Sequence, residues 1–166
     1  MEYRLLYNAA AHFAAAERYP DGLLNEMSKP GPTGLAALCW AVAELGRQAE
    51  LARRAMGYDP GPLPAESEVM ATLMPKDILS ARKAVLDAMT RGLGDVGDGE
   101  VDEVLLELQK KKGARMSRAK YLSLAMGLGF SLREAMLEEI ATVLLMAEAR
   151  AEGRKGSGNV KTEHID

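Results

Sequence analysis

The chain has 166 residues, a formal net charge of −3, and 48% apolar and 27% charged side chains, as is ordinary for a globular protein. This net charge implies neither nucleic-acid binding nor an acidic partner. The single cysteine, Cys39, excludes an intrachain disulfide and a thiolate metal cage. Ten methionines stand beside only two phenylalanines and one tryptophan, and such an aliphatic, alanine-rich composition favours helix over strand.

The N-terminal residues predict a short strand followed by helices. Residues 2–7, EYRLLY, are the best candidate for a short β-strand or hairpin. Asn8 can cap a helix that ends before Pro20, and residues 21–28 predict a second, shorter helix. The start has no signal-peptide pattern, and the chain has no apolar run of about 18 residues. We therefore expect a cytoplasmic protein without a membrane span.

A long helix is predicted over residues 33–56, after the break KPGPTG at residues 29–34. Its apolar stripe consists of Leu35, Leu38, Cys39, Val42, Leu45, Ala49 and Ala52. Its solvent side consists mostly of Glu44, Arg47, Gln48, Glu50, Arg53 and Arg54. Gly57 is a natural C-terminal stop for this helix.

Proline and glycine then divide the chain. Residues 58–67 hold three of the seven prolines and predict an exposed linker. Helices are predicted over residues 66–73 and 75–91, followed by a flexible joint at 92–100. A further helix over 100–113 has acids at its start and lysines at its end, as the helix dipole favours.

The C-terminal part predicts two more helices. Ser117 can cap the first, and Gly127 and Gly129 break it. Ser131 and Glu134 form a capping box that opens a last helix, expected to continue unbroken from 132 to about 152. The whole is a mainly α, bundle-like chain: an N-terminal part (1–57), a linker (58–67), a C-terminal helical region (68–152) and a disordered polar tail (153–166).

No constellation for catalysis, a metal or a cofactor is present in the sequence. The two histidines, His12 and His164, have no ligands at metal-binding spacing. Cys39 lies on an apolar stripe, which favours a core thiol over a nucleophile. Adjacent Glu138 and Glu139 point in different directions on a helix and do not form a two-carboxylate site. We therefore expect neither an enzyme nor a cofactor.

The last helix is more apolar than one surface helix needs, because its apolar stripe is wider than usual. Either neighbouring helices wrap it as part of the core, or part of it is offered to a partner or to another copy. The candidate partner-binding residues are Leu132, Met136, Leu137, Ile140, Val143 and Leu144.

One basic cluster precedes these helices. It consists of Lys110, Lys111, Lys112, Arg115, Arg118 and Lys120. A solvated helix end explains it, and contact with phosphates or with an acidic partner is the alternative. Nucleic acid is not the expected partner, since no aromatic residue interleaves with these cations.

Two stretches resemble the tail assembly chaperones of long-tailed bacteriophages and prophages of Gram-positive bacteria. The first is YRLLYNAAAHFAAAERYPDGLL, followed by an apolar helix with the segment Leu38–Trp40. The second, LLELQKKKGARMSRAKYLSLAMGLGFSLREAM, is similar to the family pattern of an acidic helix, a Lys-Lys-Gly turn, "R-A-x-Y-L" and a "G-hydrophobic-S-x-x-E-A" helix start. Its matching positions are Lys111 to Gly113, Arg118, Tyr121, Leu122, Gly129, Phe130, Ser131, Glu134 and Ala135. Family members often have a "P-x-G" step soon after this start.

The resemblance implies a protein that coats the tape-measure protein, keeps it soluble, brings tail-tube subunits to it, and associates with itself. It implies the host bacterial cytoplasm as location, absence from the finished virion, and a short form beside a longer frameshifted one. Two alternatives stay open: a small helical nucleic-acid-binding or regulatory protein, and a structural tail-connector subunit.

Overall fold

A computed structural model describes residues 3–94 and 117–157, with side chains through Arg154. These ranges form eight α-helices and one 3-10 turn, and they contain no β-strand. The elements are α1 (Ala9–Arg18), α2 (Leu23–Ser28), α3 (Pro32–Ala55), α4 (Glu66–Thr72), the 3-10 turn (Pro75–Asp77), α5 (Ile78–Leu93), α6 (Arg118–Gly127), α7 (Leu132–Leu137) and α8 (Ile140–Ser157). The mainly α class is confirmed.

The N-terminal segment, residues 3–8, is irregular and does not form the predicted strand. The Leu6 amide donates to the carbonyl of Leu45, which lies within α3, at 3.1 Å. The segment therefore lies along a helix and does not pair with another strand. Asn8 caps α1 as predicted, because its side-chain oxygen accepts from the Ala11 amide at 3.0 Å.

Helix α3 is the centre of the bundle and packs against α1, α2, α4, α5 and α7. Most of its predicted apolar stripe is buried, although Leu35 remains 38% exposed. The predicted solvent side was wrong for Gln48 and Glu50, which are both buried. Since neighbouring helices surround α3 on several sides, its polar side chains are also covered.

Hydrogen bonds satisfy this buried polar side of α3. Asn8 Nδ2 donates to Gln48 Oε1 at 3.2 Å, and Gln48 Nε2 donates to Glu44 Oε1 at 2.8 Å. A chain of amide and carboxylate groups therefore joins the start of α1 to the middle of α3, which removes the cost of burying them unpaired.

Residues 58–67 follow Gly57, which ends α3 with φ 88° as a C-terminal glycine does. The Gly61 amide donates to the Glu50 carboxylate, and Arg54 Nη2 donates to the Gly61 carbonyl at 2.7 Å. The Gly61 amide and then Arg53 lower the pKa of Glu50 to about 2. The proline-rich segment is therefore fastened to α3.

One hydrophobic core includes residues from both sides of this segment. Leu38 and Leu45 of α3 belong to the same cluster as Val85 and Met89 of α5. Helix α5 also touches the N-terminal segment, because a Cβ placed on Gly92 would lie 2.0 Å from the Tyr7 carbonyl oxygen. Glycine is needed here for close approach of two backbones.

Two predicted boundaries move in the structure. Helix α8 continues to Ser157, so the first residues of the predicted tail are helical, while 158–166 lie outside the described residues. Gly92 and Leu93 belong to α5, whereas the rest of the predicted joint and the predicted helix over 100–113 lie outside the described residues.

Candidate partner-binding surface

Helices α6 and α7 form a capped pair that positions the C-terminal surface. Ser117 accepts from the Lys120 amide, and Ser131 and Glu134 form a complete capping box, so both predicted caps are confirmed. The buried Tyr121 hydroxyl donates to the Ala135 carbonyl at 2.7 Å and ties α6 to α7. Burial raises the pKa of Tyr121 to about 12.

The predicted unbroken last helix was wrong, because the backbone breaks between α7 and α8. Glu138 is extended, with ψ 152°, and its carbonyl accepts from the Ala9 amide at 2.9 Å. Ala9 is the first residue of α1, so its amide has no partner inside its own helix. The break therefore joins an unpaired donor to a carbonyl that a continuous helix would have used internally.

Two carboxylates lie side by side at this break. Burial, followed by repulsion from Glu138, raises the pKa of Glu139, and the nearby Arg91 cation lowers it. Partial burial of a carboxylate beside another one disfavours its charged form.

The structure divides the six predicted partner-binding residues between surface and core. Leu132 is 55% exposed, whereas Ile140 and Val143 are buried in the core. Met136, Leu137 and Leu144 are half-buried. Only the first of the six therefore offers most of its side chain to a partner.

Two exposed apolar residues on α8 were missing from that prediction. Leu145 is 64% exposed and Met146 is 43% exposed. The signal was present in the run Leu144-Leu145-Met146, because three successive residues of a helix cannot share one face. With Val143 facing the core, a helix that is covered on one side only would expose at least one of them.

A groove between α6 and α8, here called the α6–α8 groove, encloses about 550 Å³. Its lining consists of Lys120, Ser123, Leu124, Gly127, Leu128, Ala147, Arg150, Ala151 and Arg154. Arg150 donates to the Gly127 carbonyl and so bridges the two helices. No residue on this lining has a carboxylate.

The basic cluster of the sequence reaches this groove through one residue. Lys120 lines it, and Arg118 is exposed in the same first turn of α6. The other four cations of the cluster, Lys110, Lys111, Lys112 and Arg115, lie outside the described residues. The groove's other two cations, Arg150 and Arg154, come from α8 and were not predicted, since they are far away in sequence.

A second groove of about 440 Å³ lies in the N-terminal part, between α3, α4 and α5. Val42, Val69 and Leu73 are among its apolar lining residues, and Tyr3 lies at its side. Next to this lining in sequence, Met70 and Met74 are about half exposed. This groove has no Lys or Arg on its lining, and the α6–α8 groove differs from it in its cations.

The reactive side chains of the core have structural surroundings. The Tyr7 hydroxyl lies 3.0 Å from His12 Nδ1, and both side chains are buried. Cys39 is buried as predicted, and burial raises the pKa of its thiol. Within residues 3–94 and 117–157, no three His, Cys, Asp or Glu side chains come together as metal ligands. His164 lies outside these ranges.

Comparisons with known proteins found no matching family model, no matching curated protein and no matching solved structure. Among the helices that the structure describes, none combines the length and the apolar character needed to cross a membrane.

Proposed function

We propose that this chain is a tail assembly chaperone of a long-tailed bacteriophage or prophage. It binds the tape-measure protein, keeps it soluble and helps to bring tail-tube subunits to it. The carrying observation is a set of exposed apolar side chains on the C-terminal helices, Met126, Leu132, Leu145 and Met146, which are each between 43% and 64% exposed. Exposed large apolar side chains on helices suit a helical client with an apolar stripe of its own.

The broken backbone after α7 also supports the proposal. Tail assembly chaperones often have a proline–glycine step after the helix start that Ser131 opens here. This chain makes a step at Glu138 without either residue, since the Ala9 amide holds the extended backbone there.

Methionine suits this role. Met126 and Met146 have flexible, polarisable side chains that can repack against different apolar partners along a long client. A second copy of the chain could cover the same surface, and self-association is part of the proposal. The protein acts in the host bacterial cytoplasm, has no catalytic role and is absent from the finished virion.

Co-expression with the tape-measure protein of the same genome tests the proposal. We expect the wild-type chain to move that protein into the soluble fraction and to co-purify with it. Leu145→Glu combined with Met146→Glu should abolish both effects, because charges would replace the exposed apolar contact. Leu79→Glu is the matched control, since Leu79 is 78% exposed and lies on α5, outside the C-terminal helices α6, α7 and α8. A tape-measure protein that stays insoluble with the wild-type chain would refute the proposal.

Mass spectrometry of purified particles separates the chaperone from a structural tail-connector subunit. The chaperone should be missing from the particles, whereas a connector should be present at a fixed number of copies. Analytical ultracentrifugation over a range of concentrations tests self-association, which predicts a mass that rises with concentration. A strictly monomeric chain would remove that part of the proposal.

A further inference from the structure

The core-facing stripe of α8 continues beyond the helices that cover it. Ile140 and Val143 are buried, and Ala147, one turn further, is half-buried. Arg150 and Arg154 follow on the same side of the helix and are exposed. Residues three or four apart share a helix face, so this face changes from core to open groove along its length.

Helix α6 supplies the other wall with the same periodicity. Lys120, Leu124 and Leu128 follow one another at helical spacing and line the groove. At 1.5 Å of rise per residue, the wall extends for roughly 12 Å, or about two helical turns. A partner seated here would therefore contribute about two turns of its own helix.

The floor of the groove is apolar, and its α8 side is small. Leu124 and Leu128 line it from the α6 side, and Ala147 and Ala151 line it from α8. Alanines allow a close approach of another helix, and the two leucines supply apolar contact area. This floor suits a side-chain stripe of a helix more than it suits a flat polar ligand.

The rim is cationic. Lys120 and Arg154 are exposed, and within the described ranges no carboxylate pairs with either of them. Arg150 is already engaged with the Gly127 carbonyl. Two cations therefore remain to meet negative charge at the edges of the apolar floor.

We propose that the α6–α8 groove binds an amphipathic helical segment with acidic residues beside its apolar stripe. Apolar side chains of that segment pack on Leu124 and Leu128, and its carboxylates meet Lys120 and Arg154 at the rim. Taking the segment to be part of the tape-measure protein rests on the proposed function. Nucleic acid fits less well, because no aromatic side chain lines the groove to stack a base and the leucines and alanines offer apolar contact that a phosphate does not use.

Two synthetic helical peptides of about 15 residues test the groove without any phage component. They share one leucine stripe and differ only in having glutamates or lysines beside it. With full-length protein, fluorescence anisotropy should show binding of the glutamate peptide at least about tenfold tighter than of the lysine peptide, weakening as salt rises. Equal binding of the two peptides would overturn the proposal.

Charge-reversed variants locate the binding. Lys120→Glu combined with Arg154→Glu should weaken glutamate-peptide binding by about tenfold or more. Lys83→Glu combined with Arg133→Glu makes the same change in net charge on α5 and α7, outside the groove, and should leave binding unchanged. Circular dichroism should show the same helix content for both double variants. Equal weakening by the two would overturn the placement in this groove.

Two other occupants would give different results. A DNA duplex that binds more tightly than the glutamate peptide, and loses binding in the groove variant, would overturn the proposal in favour of phosphate contact. Peptide binding that appears only after Glu100, Asp102, Glu103 and Glu107 are changed to Gln would overturn it in favour of the chain's own acids. If the peptides bind as expected but the tape-measure protein stays insoluble, the proposed function fails and the groove assignment stands.

Discussion

Gly92→Ala tests the close contact between α5 and the N-terminal segment. A methyl group at this position would lie 2.0 Å from the Tyr7 carbonyl oxygen, whereas ordinary contacts begin near 3.4 Å. The two backbones would have to separate by more than 1 Å. Tyr7 is buried, so it would have to move within a packed core.

Two opposing terms set the size of the effect. Forcing an extra methyl group into a packed site costs about 1–3 kcal/mol. Alanine gains up to about 1 kcal/mol over glycine in a helix interior, and less in the last turn, where Gly92 lies. We therefore expect the free energy of unfolding to fall by about 1–2 kcal/mol, which lowers Tm by about 3–6 °C in a chain of this size.

Gly153→Ala is the matched control, because a methyl group there would meet nothing within 4 Å and the residue lies in α8. It should be as stable as wild type or slightly more stable. Urea and thermal unfolding can be followed by circular dichroism and by the fluorescence of the single, buried Trp40. Finding Gly92→Ala as stable as Gly153→Ala would refute the close approach of Tyr7 and Gly92.

Two further substitutions test single hydrogen-bonded groups. Glu50 has a pKa near 2 in the folded chain, so its contribution to stability is complete above the ordinary carboxyl pKa of about 4 and is lost as the pH falls towards 2. In the wild type the urea midpoint should therefore fall between about pH 5 and pH 2, and Glu50→Gln should make this fall less steep. Glu17→Gln, at an exposed position, should keep the wild-type pH dependence. An unchanged pH dependence for Glu50→Gln would contradict the low pKa of Glu50. Tyr121→Phe should lower the free energy of unfolding by about 1–2 kcal/mol, because the Ala135 carbonyl loses its buried donor. The control Tyr58→Phe changes a side chain that is 59% exposed, and it should change the free energy of unfolding by less than about 0.5 kcal/mol. Equal unfolding curves for the two tyrosine variants would argue against that bond.

Side-chain caps predicted three of the eight helix starts that the structure describes. Asn8, Ser117 and Ser131 each accept a backbone amide at the position that capping chemistry requires. These signals depend on neighbours within a few residues, so the sequence contains all the information that they need. Composition likewise predicted the mainly α class.

Long-range contacts decided what the sequence did not predict. Gln48 and Glu50 look like surface residues of an amphipathic helix, and they are buried because other segments bond to them. The break at Glu138 depends on the Ala9 amide, which comes from the opposite end of the chain. No pattern around residue 138 contains that partner.

In the α6–α8 groove, too, single residues were predicted from the sequence but their meeting in space was not. Lys120 was recognised as part of a basic cluster, yet the groove that it lines needs α6 and α8 side by side. Arg154 joins Lys120 there only after folding. Charge counted along the chain therefore missed a cationic rim that two distant helices share.

The bond between the Ala9 amide and the Glu138 carbonyl has a consequence for the order of folding. A ribosome makes residue 9 long before residue 138, so α1 leaves the exit tunnel while its partner does not yet exist. Contacts between residues so distant in sequence slow folding, because a long loop must close before they form. The bonds of Leu6 and Asn8 to α3 can form early, whereas the Ala9 amide must wait for residues made late before it gains this partner.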